Sequence, residues 1–180
     1  MKPSTTSLPG VILLDPDPHT DERGVLVELY RTDRFAALGI AETFVQDTLT
    51  SSVRGVMRGL HYRISPQAKL VMCVEGEVYD VAVDLRRGSA TFGQWFGTEL
   101  SAANRRQLFI PSGFAHGYQV LSERASVLYK QTALFDPADD RALRWNDPAI
   151  GIPWPLTAPL VSPRDAIAPL LADAELAPPT

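Results

Sequence analysis

KLVMCVEGEVYDVAVDL, residues 69–85, holds two apolar runs, Lys69–Val74 and Val78–Leu85, on either side of Glu75-Gly76-Glu77. Short valine-rich runs broken by glycine read as β-strands, and this spacing predicts a hairpin. Side chains alternate faces along a strand, so Val78, Asp80, Ala82 and Asp84 share one side. Tyr79, Val81, Val83 and Leu85 share the other. One face is fully apolar, while its opposite mixes small residues with two carboxylates. That pattern suits a sheet with one face on a core and the other lining a cavity or solvent.

The same texture continues outward. Gln107–Pro111, Gly117–Leu121 and Ser126–Thr132 are further strand candidates, with turns supplied by Gly113, Gly117 and Ser122-Glu123-Arg124. Many short strands at this spacing predict an all-β barrel or double-sheet jelly roll. Upstream, Val11–Leu14 and Val25–Tyr30 read as strands around the turn-rich Asp15-Pro16-Asp17-Pro18. Asp33–Leu38 reads as a short helix stopped by Gly39. Residues 1–10 are expected to form a loose arm, and 136–180 a Pro-rich wrapping segment with a closing helix from Asp165 to Leu171. No repeat or linker divides residues 1–180, so a single domain is expected.

Composition narrows the function classes. The chain has 180 residues, 45% of them hydrophobic, with a formal net charge of -4. A basic surface for coating nucleic acid is not expected. One cysteine, Cys73, rules out an intrachain disulfide, and it reads as a small core residue. The first nine residues lack the apolar stretch of a signal peptide, and no window resembles a membrane span. A cytoplasmic protein is the expectation.

Several polar residues fall within the expected strands. In VMRGLHY (56–62), alternation puts Arg58, Leu60 and Tyr62 on one face and His61 on the other, unless Gly59 bends the strand. Lys69 reads either as a strand-end lysine laid along apolar surface or as a cation facing a developing oxyanion. In IPSGFAHG (110–117), His116 sits among Gly and Pro as in a tight turn. Tyr129 reads as a strand residue, and Ser162 or Asp165 as the cap of the last helix. The three histidines, His19, His61 and His116, form no His-x-His pair or His-Glu-x-x-His motif, so no metal is expected. No glycine-rich phosphate loop, nucleophile elbow or dinucleotide fingerprint is present.

Taken together, DERGVLVE (21–28), FVQD (44–47), VRGVMRGLHY (53–62), residues 69–95, LFIPSGFAHGYQVLSE (108–123), VLYKQT (127–132), RWNDPAIGIPWP (144–155) and VSPRDAIAPLL (161–171) resemble the dTDP-4-dehydrorhamnose 3,5-epimerase family. The resemblance implies a cupin-type jelly-roll barrel with a few short peripheral helices. It also implies a homodimer that works without metal or organic cofactor on a nucleotide-linked 4-keto-6-deoxy sugar. Carried over by motif, His61 is the base, Asp165 its orienting carboxylate and Tyr129 the opposing acid, while Lys69 holds the enolate oxygen. Arg23, Glu28, Gln46, Arg58 and His116 match substrate-contacting positions, and the segment bearing Arg23 is expected over the partner's site.

Those residue types suit the chemistry. A proton next to a ketone is too weakly acidic for free imidazole, and a cation at the enolate oxygen in a dry pocket lowers that barrier. An imidazole steadied by a carboxylate takes the proton, and inversion needs a second donor on the opposite face. The chain departs from the family pattern where nucleobase-stacking aromatics are usual: Val25-Leu26 and Leu134-Phe135 stand there. The usual QDN is Gln46-Asp47-Thr48, and the loop from Arg63 to Ala68 is about two residues short by the family's pattern. Three alternatives follow: an epimerase of C3 alone or C5 alone, one using another nucleotide sugar, and a non-catalytic cupin that binds one.

Overall fold

The computed structural model describes residues 1–178. In chain order the elements are β1 (Lys2–Thr5), β2 (Ile12–Asp15), β3 (His19–Asp21), β4 (Gly24–Leu26), α1 (Thr32–Ala37), β5 (Gln46–Val53), β6 (Val56–Arg63) and β7 (Lys69–Glu75). They continue as β8 (Glu77–Asp84), β9 (Trp95–Ser101), β10 (Gln107–Ile110), β11 (Phe114–Val120), β12 (Arg124–Gln131), β13 (Asp140–Ala142), β14 (Leu160–Val161) and α2 (Pro163–Ala166). A 3-10 turn, Leu171–Asp173, follows.

Two six-stranded sheets face each other. The first runs β1-β2-β10-β7-β12-β5, and the second β13-β6-β11-β8-β9 with β14 added beside β6. Pairing is antiparallel except for β14 on β6. The inner faces meet in a core to which the first sheet gives Val71, Cys73, Leu108 and Val127 and the second Val78, Ala82, Tyr118 and Val120. Each valine or leucine among them contributes roughly 1.5–3 kcal/mol when fully buried.

The apolar face of β8 is also covered. Val81, Val83, Leu60 and Ala115 pack under Leu143, Ile150, Trp154 and Leu171 of the C-terminal segment. Gln119 ties this wrap down: its amide donates to the Leu156 carbonyl and accepts from the Leu156 N–H, both at 2.8 Å. A third cluster packs Phe35 of α1 and Ile40 on Leu14, Leu70 and Phe109, against the outer side of the first sheet. The carboxylate-bearing face of β8 thus points into the barrel, one of the two placements its sequence allows.

Four expectations are corrected. Glu75-Gly76-Glu77 is not a hairpin, because β7 and β8 belong to different sheets. The chain turns a corner there, with Gly76 at φ 70° and so close to the Arg124 carbonyl that a Cβ would collide with it. Residues 1–10 are not loose: β1 pairs with β2 along its whole length, and Leu8 is 1% exposed. The strand expected at Val25–Tyr30 shrinks to β4, paired only with β3. The helix expected over Asp165–Leu171 is the single turn α2, followed by extended chain and the 3-10 turn. Pro163 at its first position and the Ser162 cap start the turn, but Pro169 prevents its continuation.

Candidate active site

β6 and β11 are neighbours in the second sheet, and His61 lies directly opposite His116. The register slips between that pair and Arg58–Tyr118. Gly59 sits at the slip, with φ 122° and a position where a Cβ would stand 2.6 Å from the Gly117 Cα. This bulge reverses the plain alternation, so Arg58 and His61 line the same cavity while Leu60 and Tyr62 join the outer cluster. From the first sheet, Lys69 opens β7 and Tyr129 stands on β12. The result is an inner cavity of about 80 Å³ lined by Arg58, His61, Lys69, His116, Tyr118 and Tyr129. A wider recess of about 380 Å³ shares Arg58 and His61 and adds Ser162, Arg164 and Asp165.

The His61 Nε2 lies 2.8 Å from Asp165 Oδ1. Asp165 is 3% exposed, and its backbone N–H donates to the Ser162 hydroxyl at 3.1 Å. Burial pushes its carboxyl up, but the hydrogen bond and charge of His61, with the Ser162 and Gly59 donors, hold it below the usual range. An ionised carboxylate only accepts, so the neutral ring carries its proton on Nε2 and leaves Nδ1 bare. Of the two cap candidates it is Ser162 that caps α2, while Asp165, in the first turn of that helix, turns its carboxylate to the histidine.

His116 is not a turn residue. It lies in the middle of β11, 5% exposed, with Nε2 2.9 Å from Asp80 Oδ2. Burial lowers its pKa against the opposing pull of Asp80. The half-buried Lys69 donates to the His61 carbonyl at 3.5 Å. Burial brings its ammonium down to about 8, while Asp140 and Asp80 pull it upward. Burial also raises the Tyr129 phenol, which therefore keeps its proton at neutral pH. Tyr118 bonds the Thr50 hydroxyl at 2.6 Å and is pushed up to about 12, chiefly by burial.

Other expected site residues lie elsewhere. Gln46 spans the β5–β12 edge, donating to Gln131 at 3.0 Å and accepting the Phe135 N–H at 2.7 Å. Arg23 is on the exposed β3–β4 ribbon, bonded to Asp21. Glu28 pairs with Arg31 and Arg34. Within one chain these three are outside the inner cavity. Two neighbours of the site were missed from sequence. Tyr118 shares a strand face with His116 two residues away, and Asp80 is on the carboxylate-bearing face of β8. Among the described residues, no three His, Cys, Asp or Glu side chains converge as a metal would require, and no helix is long and apolar enough to cross a membrane.

This arrangement can take a proton from one side of a small flat group, return one from the other and hold a negative oxygen between them. Comparison with known proteins points the same way. The family model for dTDP-4-dehydrorhamnose 3,5-epimerase matches residues 5–173. The chain is 51% identical to the dTDP-4-dehydrorhamnose 3,5-epimerase of Pseudomonas aeruginosa, over 99% of this chain and 100% of that one. It is 44% identical to a dTDP-4-dehydrorhamnose 3-epimerase of Streptomyces niveus, over 92% of this chain and 81% of that one. The crystal structure of the dTDP-6-deoxy-D-glucose-3,5-epimerase of Legionella pneumophila, in complex with dTDP-4-keto-L-rhamnose, superposes with a TM-score of 0.94 at 44% identity. That match covers 97% of this chain and 94% of the other. By its motifs, its barrel and these matches, the chain belongs to the dTDP-4-dehydrorhamnose 3,5-epimerase family of isomerases.

Proposed function

We propose that the protein inverts C3 and C5 of a dTDP-4-keto-6-deoxyhexose through an enolate, in the making of a rhamnose-type deoxysugar. The observation that carries this reading is the inner cavity, where one sheet supplies His61 and the other supplies Tyr129 and Lys69. His61 Nδ1 takes the proton next to the C4 ketone, and Asp165 supports the imidazolium that forms. The electron pair moves onto O4, where the Lys69 ammonium offsets the charge. Tyr129 returns a proton to the opposite face, which inverts the carbon. C3 and C5 flank the same ketone, so one base, one acid and one cation serve both.

His116 and Arg58 are the wall residues that orient the sugar and its diphosphate, with Gln46 at the edge. Arg23 and Glu28 reach substrate through a homodimer in which the ribbon of one copy lies over the cavity of the other. Exposed Leu26, Leu49, Val53, Leu134 and Phe135 supply apolar surface for such a contact.

A second reading, inversion at C3 alone, draws on the 44% identity to a 3-epimerase, while Val25-Leu26 and Leu134-Phe135 in place of aromatic pairs leave room for a single-carbon epimerase or another nucleotide. NMR in deuterated water with dTDP-4-keto-6-deoxyglucose tests both. Deuterium at C3 and C5 is the expected result, and deuterium at C3 alone selects the second reading. Exchange at neither carbon rejects both.

A further inference from the structure

Asp80 has no part in the scheme above, yet it occupies the floor of the barrel beneath it. It is 0% exposed, in the middle of β8. One carboxylate oxygen meets His116 Nε2 at 2.9 Å, while the other, Oδ1, is buried without a hydrogen-bond partner. A buried carboxylate oxygen left unpaired is costly, so a charge kept there invites a functional explanation. The cavity holds two His–Asp pairs side by side, because His61 and His116 are direct cross-strand partners. Asp165 faces the base from one end, and Asp80 faces His116 from the other.

The charges around Lys69 come from several elements. Asp140 of β13 and Asp80 of β8 favour its ammonium, while Arg63 of β6 opposes it. His61 and His116 face it from the second sheet, and Arg58, Tyr118 and Tyr129 complete the cavity wall. Asp140 is already engaged, since Arg164 bonds both its side chain and its carbonyl. Arg63 is likewise spent on Asp139. Asp80 is the buried carboxylate with an oxygen to spare.

We infer that Asp80 is a positioning residue for the proposed reaction: it fixes His116 as the Nε2–H tautomer and supplies the negative charge that sustains the Lys69 ammonium at the enolate oxygen. The fixed tautomer leaves His116 Nδ1 as an acceptor for a sugar hydroxyl. The inference rests on the enolate reading of this cavity.

The test is Asp80→Asn, which keeps shape and an acceptor oxygen but removes the charge. For the wild type, kcat/KM against pH should fall on the alkaline side as Lys69 loses its proton, near 8. Removing an opposing charge lowers an ammonium's pKa, so in Asp80→Asn this limb should move down by about one pH unit, a tenfold loss on that limb. A merely structural role would lower activity at every pH and leave the limb in place, and that result overturns the inference. Solvent exchange by the wild type is measured first, so failure of the epimerase reading is seen separately from an unmoved limb. Should Asp80→Asn not fold, nitrogen-15 NMR of the wild type decides. His116 should be a neutral Nε2–H ring at neutral pH, because burial lowers its pKa. An Nδ1–H ring or an imidazolium at neutral pH overturns the assignment.

Discussion

The wall made by β6 and β11 and the ribbon made by β3 and β4 are built in opposite ways. β6 is hydrogen-bonded on both sides, by β11 and by β13 and β14, and every residue of β11 is buried. The ribbon pairs only with itself, each of its strand residues is exposed, and Arg23 spends its guanidinium on nearby Asp21. The first region orders its groups before any substrate arrives, while the second has charge available but no surface of its own chain to hold it. Pre-organised groups act on the chemical step, whereas an exposed arm acts on binding. The proton-transfer set should therefore govern kcat, and the ribbon KM.

The sharpest way to break this contrast is His61→Asn. It should lower exchange at both carbons by about a thousandfold or more, the scale of losing a positioned base. Near-normal exchange by NMR would remove the wall from the chemistry. Lys69→Met should cost about a hundred- to a thousandfold in kcat, the range for removing an oxyanion-stabilising group. Because burial has lowered the Lys69 pKa, the wild-type rate should fall as pH rises past about 8. A flat rate from pH 7 to about 10, where an unperturbed lysine first titrates, would place another group at the oxygen.

Tyr129→Phe should reduce net inversion by about a hundredfold while exchange on the His61 face persists. Polarimetric or NMR product analysis beside the exchange rate checks it, and a parallel loss of both would deny the two-sided arrangement. On the ribbon, Arg23→Ala should raise KM about tenfold and leave kcat within about threefold. A fall in kcat with constant KM would make the ribbon part of the chemical apparatus.

Asp84→Asn sharpens the contrast from within the second sheet, because this carboxylate is buried but remote from the cavity. Burial alone would raise its pKa, yet Arg86, Thr91 and Ser89 donors hold it at about 2. A carboxyl depressed on folding stabilises the protein above the ordinary carboxylate range, and that share is lost as pH falls toward 2. The substitution should therefore cost about 2 kcal/mol in urea unfolding at neutral pH, less in acid, with unchanged kcat. A changed kcat would show that the sheet transmits strain to the site.

Strand content and the gathering of the β8 carboxylates on one face were readable because side-chain alternation has a fixed period, but whether that face turned inward or to solvent was not. What the period does not carry is where consecutive strands go. A glycine corner between sheets has the same composition as a hairpin, which is why Gly76 misled. Gly59 marks a second limit: its bulge moves His61 to the side of Arg58, and only the close approach of Gly117 explains it. The first strand was missed because Lys2–Thr5 is polar and exposed and is held by backbone pairing to β2. The partnership of His61 with Asp165 joins residues 104 positions apart, and no local pattern announces it. It was expected through family resemblance, whereas Asp80 and Tyr118 needed the assembled cavity.

The parallel strand β14 has a consequence for how the protein comes into being. It clips onto β6 and delivers Ser162 and Asp165 to a histidine made about a hundred residues earlier. On the ribosome, every strand of both barrel sheets, this clip included, is synthesised before Asp165 is. A chain stopped just before Asp165 would thus hold every strand of both sheets and still leave the His61 ring without its carboxylate partner.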